Sequence, residues 1–297
     1  MLRNKRIVIK IGTSTLTHET GKLNLRKMDQ IARAAADIAG MGNELIIVTS
    51  AAISAGTAKL GLPERPKKLN EKMAVSAIGQ AQLMHIYDTL FSEYNCTVAQ
   101  ILLTDENIEN ELSAANLSET FRTLLGMGVI PIVNENDSVT TAEIEVGHQK
   151  ILGDNDTLSS IVAKLTNADL LIIMSDIEGL YDSDPRKNPD ARLLHDVLDI
   201  TPEIMEMAGG AGSRRGTGGM ITKLTAAKTA TEAGIDMVII NSDNIQNLYD
   251  LMDGKTVGTR FLAKRKAVSE NTAQKKAVKE AAGASRNKEE ASAKENA

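Results

Sequence analysis

The sequence predicts an α/β protein: a three-layer αβα sandwich around a mainly parallel central sheet. Two observations predict it. The strand-like runs, among them IVI at 7–9, ELIIV at 44–48 and ADLLIIM at 168–174, are continuously apolar after at most an acidic residue near their start rather than alternating, as strands covered on both faces are. Helical patterns lie between these runs, the arrangement that gives crossover connections and a parallel sheet.

The bulk properties set limits on function. A chain of 297 residues with 42% hydrophobic and 25% charged residues can bury a full core, and with 2% aromatics that core is aliphatic. No apolar run approaches the ~20 residues of a membrane span, and no long apolar segment opens the chain, so no membrane partner and a cytoplasmic location are expected. The single cysteine, Cys96, excludes an intrachain disulfide and a multi-cysteine metal site. A net charge of -5 argues against nonspecific nucleic-acid binding.

The first strand, within 5–15, runs through Ile7, Val8 and Ile9 to Lys10, followed by Gly12, Thr13, Ser14 and Thr15. A lysine at a strand end beside a glycine turn suits an anionic ligand, because glycine admits a close backbone approach and the ammonium is a point charge. A lysine that merely reaches for water is the competing reading. A helix over about 24–39 follows, with Gly40 and Gly42 as stop signals, then the strand 44–48 and the small-residue turn Thr49, Ser50, Ala51, Ala52. That turn is either a ligand-facing strand end or a plain strand-to-helix turn.

A loop over 61–66 leads to a long Ala- and Met-rich helix at 70–87, which reads as core or subunit interface. A third strand at 98–103, a helix at about 113–127 and a fourth strand at 129–133 come next. The fourth runs into the turn Asn134, Glu135, Asn136, Asp137, denser in polar side chains than a capping turn requires. Alternation over 138–147 predicts a hairpin or lid. Gly153, Asp154, Asn155 and Asp156 then precede a helix at 158–165; two carboxylates and an amide there can hold a divalent cation with its waters or can cap the helix.

After the strand at 168–174 come Ser175, Asp176 and a polar turn reaching Arg186. Residues 208–219 are the most glycine-rich stretch, with Arg214, Arg215, Gly216, Thr217, Gly218 and Gly219, and they open a helix carrying Lys223. A glycine-rich loop entering a helix N-terminus offers phosphate both backbone donors and a favourable dipole end; a flexible linker is the alternative. Neither GxxxxGK[ST] nor a GxGxxG after the first strand is present, which removes the usual P-loop and dinucleotide readings. Strands at 237–240 and 257–262 complete the folded part, expected to be one domain over 1–263. The tail 264–297 has nine Lys or Arg against five Glu and no aromatic residue, the composition of a disordered segment.

Taken as a set, Lys10 to Ser14, the Asn134 to Asp137 cluster, Gly153 to Asp156, Ser175-Asp176 with Gly179-Leu180-Tyr181 and Asp184-Pro185-Arg186, and Gly216 to Lys223 resemble the amino-acid kinase family over about 5–262. The resemblance is to its members that act on L-glutamate. It implies ATP-dependent phosphorylation of the glutamate side-chain carboxylate to L-glutamyl 5-phosphate, the first step toward proline, with feedback inhibition by L-proline. It also implies that Lys10, Lys223 and Asp156 are catalytic, Asp156 orienting the two lysines. By the same resemblance Lys10, Gly12, Ser175, Asp176, Thr217, Gly218, Gly219, Met220, Ile221, Thr222 and Lys223 line ATP, while Ser50, Asn134, Asp137 and Asn155 hold glutamate. Mg2+ is expected on the ATP phosphates, with no residue assigned as its direct ligand. A homo-oligomer, dimer or tetramer, is the family expectation, and glutamyl-5-phosphate reductase, the next pathway enzyme, is a candidate partner.

Three departures from the pattern bear on glutamate affinity and feedback more than on ATP. Ala51 stands where the family usually has Gly, Met73 where Gln is usual, and Leu117-Ser118 where Ala-Arg is common. The RNA-binding-type PUA module of many members is expected to be missing, its place taken by the tail. Competing readings are a kinase of the same fold for another small acid, and a non-catalytic regulator that binds nucleotide or proline.

Overall fold

The computed structural model describes residues 2–139, 152, 154–209 and 219–264. In chain order the elements are β1 (Arg6–Ile11), α1 (Thr13–Leu16), α2 (Leu25–Gly40), β2 (Glu44–Val48), α3 (Ala52–Lys59), α4 (Leu69–Ser92), β3 (Val98–Leu103), α5 (Asp105–Glu109) and α6 (Glu111–Gly126). They continue with β4 (Ile130–Glu135), α7 (Asn155–Leu165), β5 (Leu170–Ser175), β6 (Asp196–Val197), α8 (Pro202–Gly209), α9 (Met220–Glu232), β7 (Asp236–Asn241), α10 (Gln246–Met252) and β8 (Thr259–Phe261).

The strands form one eight-stranded sheet in the order β3-β4-β2-β1-β5-β7-β8-β6. All pairings are parallel except β7 with β8. Residue alternation along the strands feeds two cores. Ile7, Ile9 and Ile11 of β1, with Ile47 of β2 and Ile172 of β5, pack under α2, α4 and α10. Val8, Ile46, Val48, Leu171 and Ile173 face the other way, under α6, α7 and α9. Helices therefore cover both faces, and the three-layer mainly parallel architecture expected from the unbroken apolar runs is the one observed.

The chain leaves β1 toward β2 on one side and later returns to place β5 on the other, so the order reverses at β1. Crevices at such reversals, beyond the carboxyl ends of the strands, are where open α/β sheets bind ligands. Lys10 stands next to last in β1, paired with Val48 and Ile173 on its two neighbours.

Some elements differ from the sequence expectation. Asn134 and Glu135 are not turn residues but the last two of β4, paired with Leu102 and Leu103 of β3. The amide of Asn134 is tolerated in a buried strand end because the site supplies its partners, as described below. The short elements α1, α3, α5, α8, α10 and β6 lack a clear period and went unread. The helix read over 70–87 extends to Ser92, and α7 begins at Asn155, three residues before the first apolar position of its pattern. Most of the expected hairpin or lid at 138–147, most of the glycine-rich loop, and the tail beyond Lys264 lie outside the described residues. Among the described residues no helix is long and apolar enough to cross a membrane.

Candidate active site

Two polar clusters stand at the carboxyl ends of the parallel strands. The first is built on the start of α7. Asp154 is its cap: Oδ1 accepts from the backbone N–H of Asp156 at 2.7 Å and of Thr157 at 3.1 Å. That leaves Asp156, in the first turn and fully buried, free of capping duty. The Lys10 ammonium lies 2.5 Å from Asp156 Oδ1, and the Lys223 ammonium lies 3.1 Å from Oδ2. The Thr222 hydroxyl donates to Oδ2 at 2.8 Å. Lys10 and Lys223 are themselves 7% and 6% exposed, so one carboxylate holds two nearly buried cations.

Burial pushes the Asp156 carboxyl up, but the two adjacent ammonium groups outweigh it and hold the group below its ordinary range. A carboxylate so engaged stays ionised and is a poor proton acceptor; its geometry is that of a positioning group. The cluster keeps one positive charge in excess. α9 adds the positive end of its helix dipole, since its first turn has no acidic residue of its own and Gly219 at its cap position supplies no side-chain bond.

The second cluster lies at the ends of β2 and β4. Asn155 Nδ2 donates to the Thr49 carbonyl at 2.6 Å and the Ser50 hydroxyl at 2.7 Å, and stands 3.3 Å from Asn134 Oδ1. Asn134 Nδ2 donates in turn to Gln80 Oε1 at 3.0 Å. Asp137, just past β4, accepts from the Ser76 hydroxyl at 2.9 Å. Ser50, Asn134 and Asn155 are thus brought into one network. Asp137 is held to the same helix, α4, that carries Gln80.

α4 reaches this site because it packs on α3 almost without side chains between. A Cβ at Gly79 would stand 1.7 Å from the Ala52 carbonyl oxygen, and one at Gly56 would stand 2.0 Å from that of Val75. Ser76 and Gln80 were not singled out in the sequence; the available signal was two polar residues four apart, flanking Gly79, on a helix otherwise read as Ala- and Met-rich. Ala51, between Ser50 and α3, has φ 76° and ψ 13°, a left-handed conformation costly for a residue with a Cβ.

The remaining expected residues are placed less tightly. Gly12 is extended at φ -78°, so its conformation does not demand glycine; a Cβ there would sit 3.6 Å from the Lys10 ammonium, in the space beside the cation. Ser175, the buried end of β5, donates to the exposed Asp176 at 3.2 Å. Gly219, Met220 and Ile221 begin α9, Ile221 with its side chain exposed. Thr217 and Gly218 lie outside the described residues. Among the described residues no group of three or more His, Cys, Asp or Glu is arranged to hold a metal ion.

The fold and site define an α/β protein that gathers two nearly buried lysines on one carboxylate at the reversal point of its sheet. Comparison with known proteins makes this more particular. Residues 5–241 match the pattern of the amino acid kinase family. A glutamate 5-kinase of Clostridium perfringens is 54% identical over 264 residues, covering 88% of this chain and 97% of that protein. One from Listeria monocytogenes is 47% identical, covering 90% of this chain and 96% of that one. The chain belongs to the amino acid kinase family. Among solved structures, a carbamate kinase from Giardia lamblia bound to AMP-PNP matches with a TM-score of 0.61 at 18% identity, covering 88% of this chain and 99% of that one. A T. acidophilum isopentenyl phosphate kinase matches at 0.58 with 16% identity, covering 86% and 99%. These two likenesses bear on the fold alone.

Proposed function

We propose that the chain transfers the γ-phosphoryl group of ATP to the side-chain carboxylate of L-glutamate, giving L-glutamyl 5-phosphate and ADP, the entry step to proline. Its relatives support the substrate pair. The observation that carries the chemistry is the buried Lys10–Asp156–Lys223 arrangement at the sheet reversal. A carboxylate is already a nucleophile at neutral pH, so this reaction needs no general base, and none is offered: Asp156 is occupied by three donors. What the reaction does need is alignment of two anions and neutralisation of charge on the transferred group. Lys10 and Lys223 supply that neutralisation from opposite sides of Asp156, which keeps both ammonium groups in place.

This reading puts the two substrates on two sides of the sheet reversal. Ser50, Asn134, Asn155 and Asp137 belong to the ends of β2 and β4 and the start of α7, and they hold glutamate, with Asp137 facing its ammonium. Ser175, Asp176 and the start of α9 from Thr217 to Lys223 belong to the β5 side and line ATP, with Gly12 beside the phosphates. Magnesium bound to the ATP phosphates would shield their charge, with no residue of this chain assigned as its direct ligand. Proline is a feedback ligand at the glutamate side, and the working form is a homo-oligomer in the cytoplasm.

The test is ADP release by the purified protein with Mg2+ and ATP, with and without L-glutamate, with aspartate and acetylglutamate in parallel and hydroxylamine to trap the acyl phosphate. Glutamate-dependent ADP with trapped hydroxamate is the expected result. Turnover with only a control acid would replace the substrate; ATP binding without turnover would leave a regulator.

A further inference from the structure

One buried polar group in the second cluster has no partner among the described residues. Gln80 is 7% exposed, and its Nε2 meets no hydrogen-bond acceptor among the described residues. A buried donor left unmade is costly, and native structures retain such groups where a ligand or water completes them.

The network determines which end of the Gln80 amide is left over. The Thr49 carbonyl can only accept, so the Asn155 atom 2.6 Å from it must be the NH2 group. That NH2 faces Asn134 Oδ1, so the other end of Asn134, its NH2, faces Gln80. Gln80 must then present Oε1 to Asn134 and keep its own NH2 unpaired. The polarity of three amides is anchored on one backbone carbonyl, and the relay ends in a donor.

The chemistry of that donor's ligand follows from its neighbour. Ser76 lies one helical turn before Gln80 on α4 and holds Asp137, the carboxylate assigned above to the substrate ammonium. In an α-amino acid the ammonium and the α-carboxylate leave the same carbon, so a group gripping one must have a partner for the other close by. Asp137 cannot take the α-carboxylate, and the lysine pair is committed to the reacting end. A neutral, buried NH2 one turn along the same helix suits an anionic oxygen with no formal charge spent on it.

We infer that Gln80 donates its Nε2 hydrogens to the α-carboxylate of the acceptor amino acid, with Ser76 as a positioning residue for Asp137. This rests on the proposed glutamate reading. α4 is then the wall of the acceptor site that distinguishes a free α-amino acid from its α-blocked relatives, while the reacting carboxylate is handled by other elements.

The experiment compares L-glutamate with its α-amide, isoglutamine, which keeps the side-chain carboxylate and loses the α-carboxylate charge. Wild type, Gln80→Met and Gln80→Glu are assayed for KM and kcat with both acceptors, and for the ligand-induced rise in Tm. Gln80→Met keeps the volume without the donor; Gln80→Glu keeps the shape and puts a negative charge in place of the donor. Expected is a rise of about 10-fold or more in the glutamate KM of Gln80→Met, with kcat and the KM for ATP within about 2-fold. The preference for glutamate over isoglutamine should fall by a similar factor, and Gln80→Glu should lose the glutamate-induced Tm shift altogether. An unchanged preference in both variants, or equal KM rises for the two acceptors, would overturn the assignment and leave Gln80 a structural group. Failure of the glutamate reading itself would appear earlier and separately, as wild-type protein that neither turns over nor is stabilised by glutamate.

Discussion

Lys10 of β1 places its ammonium 2.5 Å from Asp156 Oδ1 at the start of α7, joining the sheet's reversal point to the helix that covers it. With Lys223 on the other oxygen, the single carboxylate neutralises part of a buried double positive charge. Replacing it by Asn keeps the volume and removes the charge. Asp156→Asn should cost about 3–5 kcal/mol of stability, the usual result of stranding buried charges, and lower kcat by about 10²-fold as the lysines drift. Urea denaturation and steady-state kinetics check both. Unchanged stability would mean that water already reaches the lysines.

The same carboxylate predicts a pH dependence. Asp156 sits below its ordinary 3.8 because the two lysines outweigh its burial. A depressed carboxyl stabilises the fold above its unfolded pKa and loses that contribution as pH falls through its folded value. The stability gap between wild type and Asp156→Asn should therefore be full at neutral pH and shrink once pH drops below about 4. Urea midpoints of both proteins from pH 7 to pH 3 provide the comparison, and a gap that widens on acidification would contradict the sign.

The lysines themselves should be separable from the acceptor site. Lys10→Ala and Lys223→Ala should each reduce kcat by about 10²-fold or more, the scale of losing a donor to developing charge. Asp137→Ala should act chiefly on the KM for glutamate. If Lys10→Ala and Lys223→Ala both kept full kcat, the assignment of the phosphoryl-facing side would fail.

Much of this was legible in the sequence, for physical reasons that also explain the gaps. Apolar runs such as 170–174 announce strands buried on both faces, while Lys10, Asp156 and Lys223 became legible only as a set, through the spaced motifs that carry the family resemblance. Asn134 was placed in a turn because an amide in a buried strand end is improbable until its partners, Gln80 and Asn155, are seen. Those partners lie 54 and 21 residues away, beyond any local pattern. Ser76 and Gln80 were hidden by the helix that bears them, whose small residues read as packing surface. The departure at Ala51 was visible in the sequence; its left-handed φ of 76° was not.

Ala51 makes a stabilising substitution available. A left-handed φ of 76° costs a residue with a Cβ about 1–2 kcal/mol. Glycine removes that cost but adds about 0.4–1 kcal/mol of unfolded-state entropy. Ala51→Gly should therefore gain up to about 1.5 kcal/mol, read as a higher urea midpoint at constant m, with the KM for glutamate equal or lower. A lower midpoint would mean that contacts of the Ala51 methyl offset the backbone cost.

The contact between α3 and α4 offers the sharpest test of how the acceptor site is built. At Gly79 an added methyl would meet the Ala52 carbonyl oxygen at 1.7 Å and the Gly56 backbone nitrogen at 2.5 Å. These are backbone atoms of a packed helix and cannot rotate away, so Gly79→Ala must push α4 off α3. Overpacking of this kind costs about 1–3 kcal/mol. It also has a direction: α4 carries Ser76 and Gln80, whose bonds to Asp137 and Asn134 are 2.9 Å and 3.0 Å long and fail with a displacement of about 1 Å. The Lys10, Asp156 and Lys223 cluster hangs on β1, α7 and α9, none of which contains the displaced residues. Gly79→Ala should accordingly raise the KM for glutamate by about 10-fold or more and change the KM for ATP several-fold less. Equal rises in the two KM values would mean that the clusters move as one body, and that α4 is not the element setting acceptor affinity on its own.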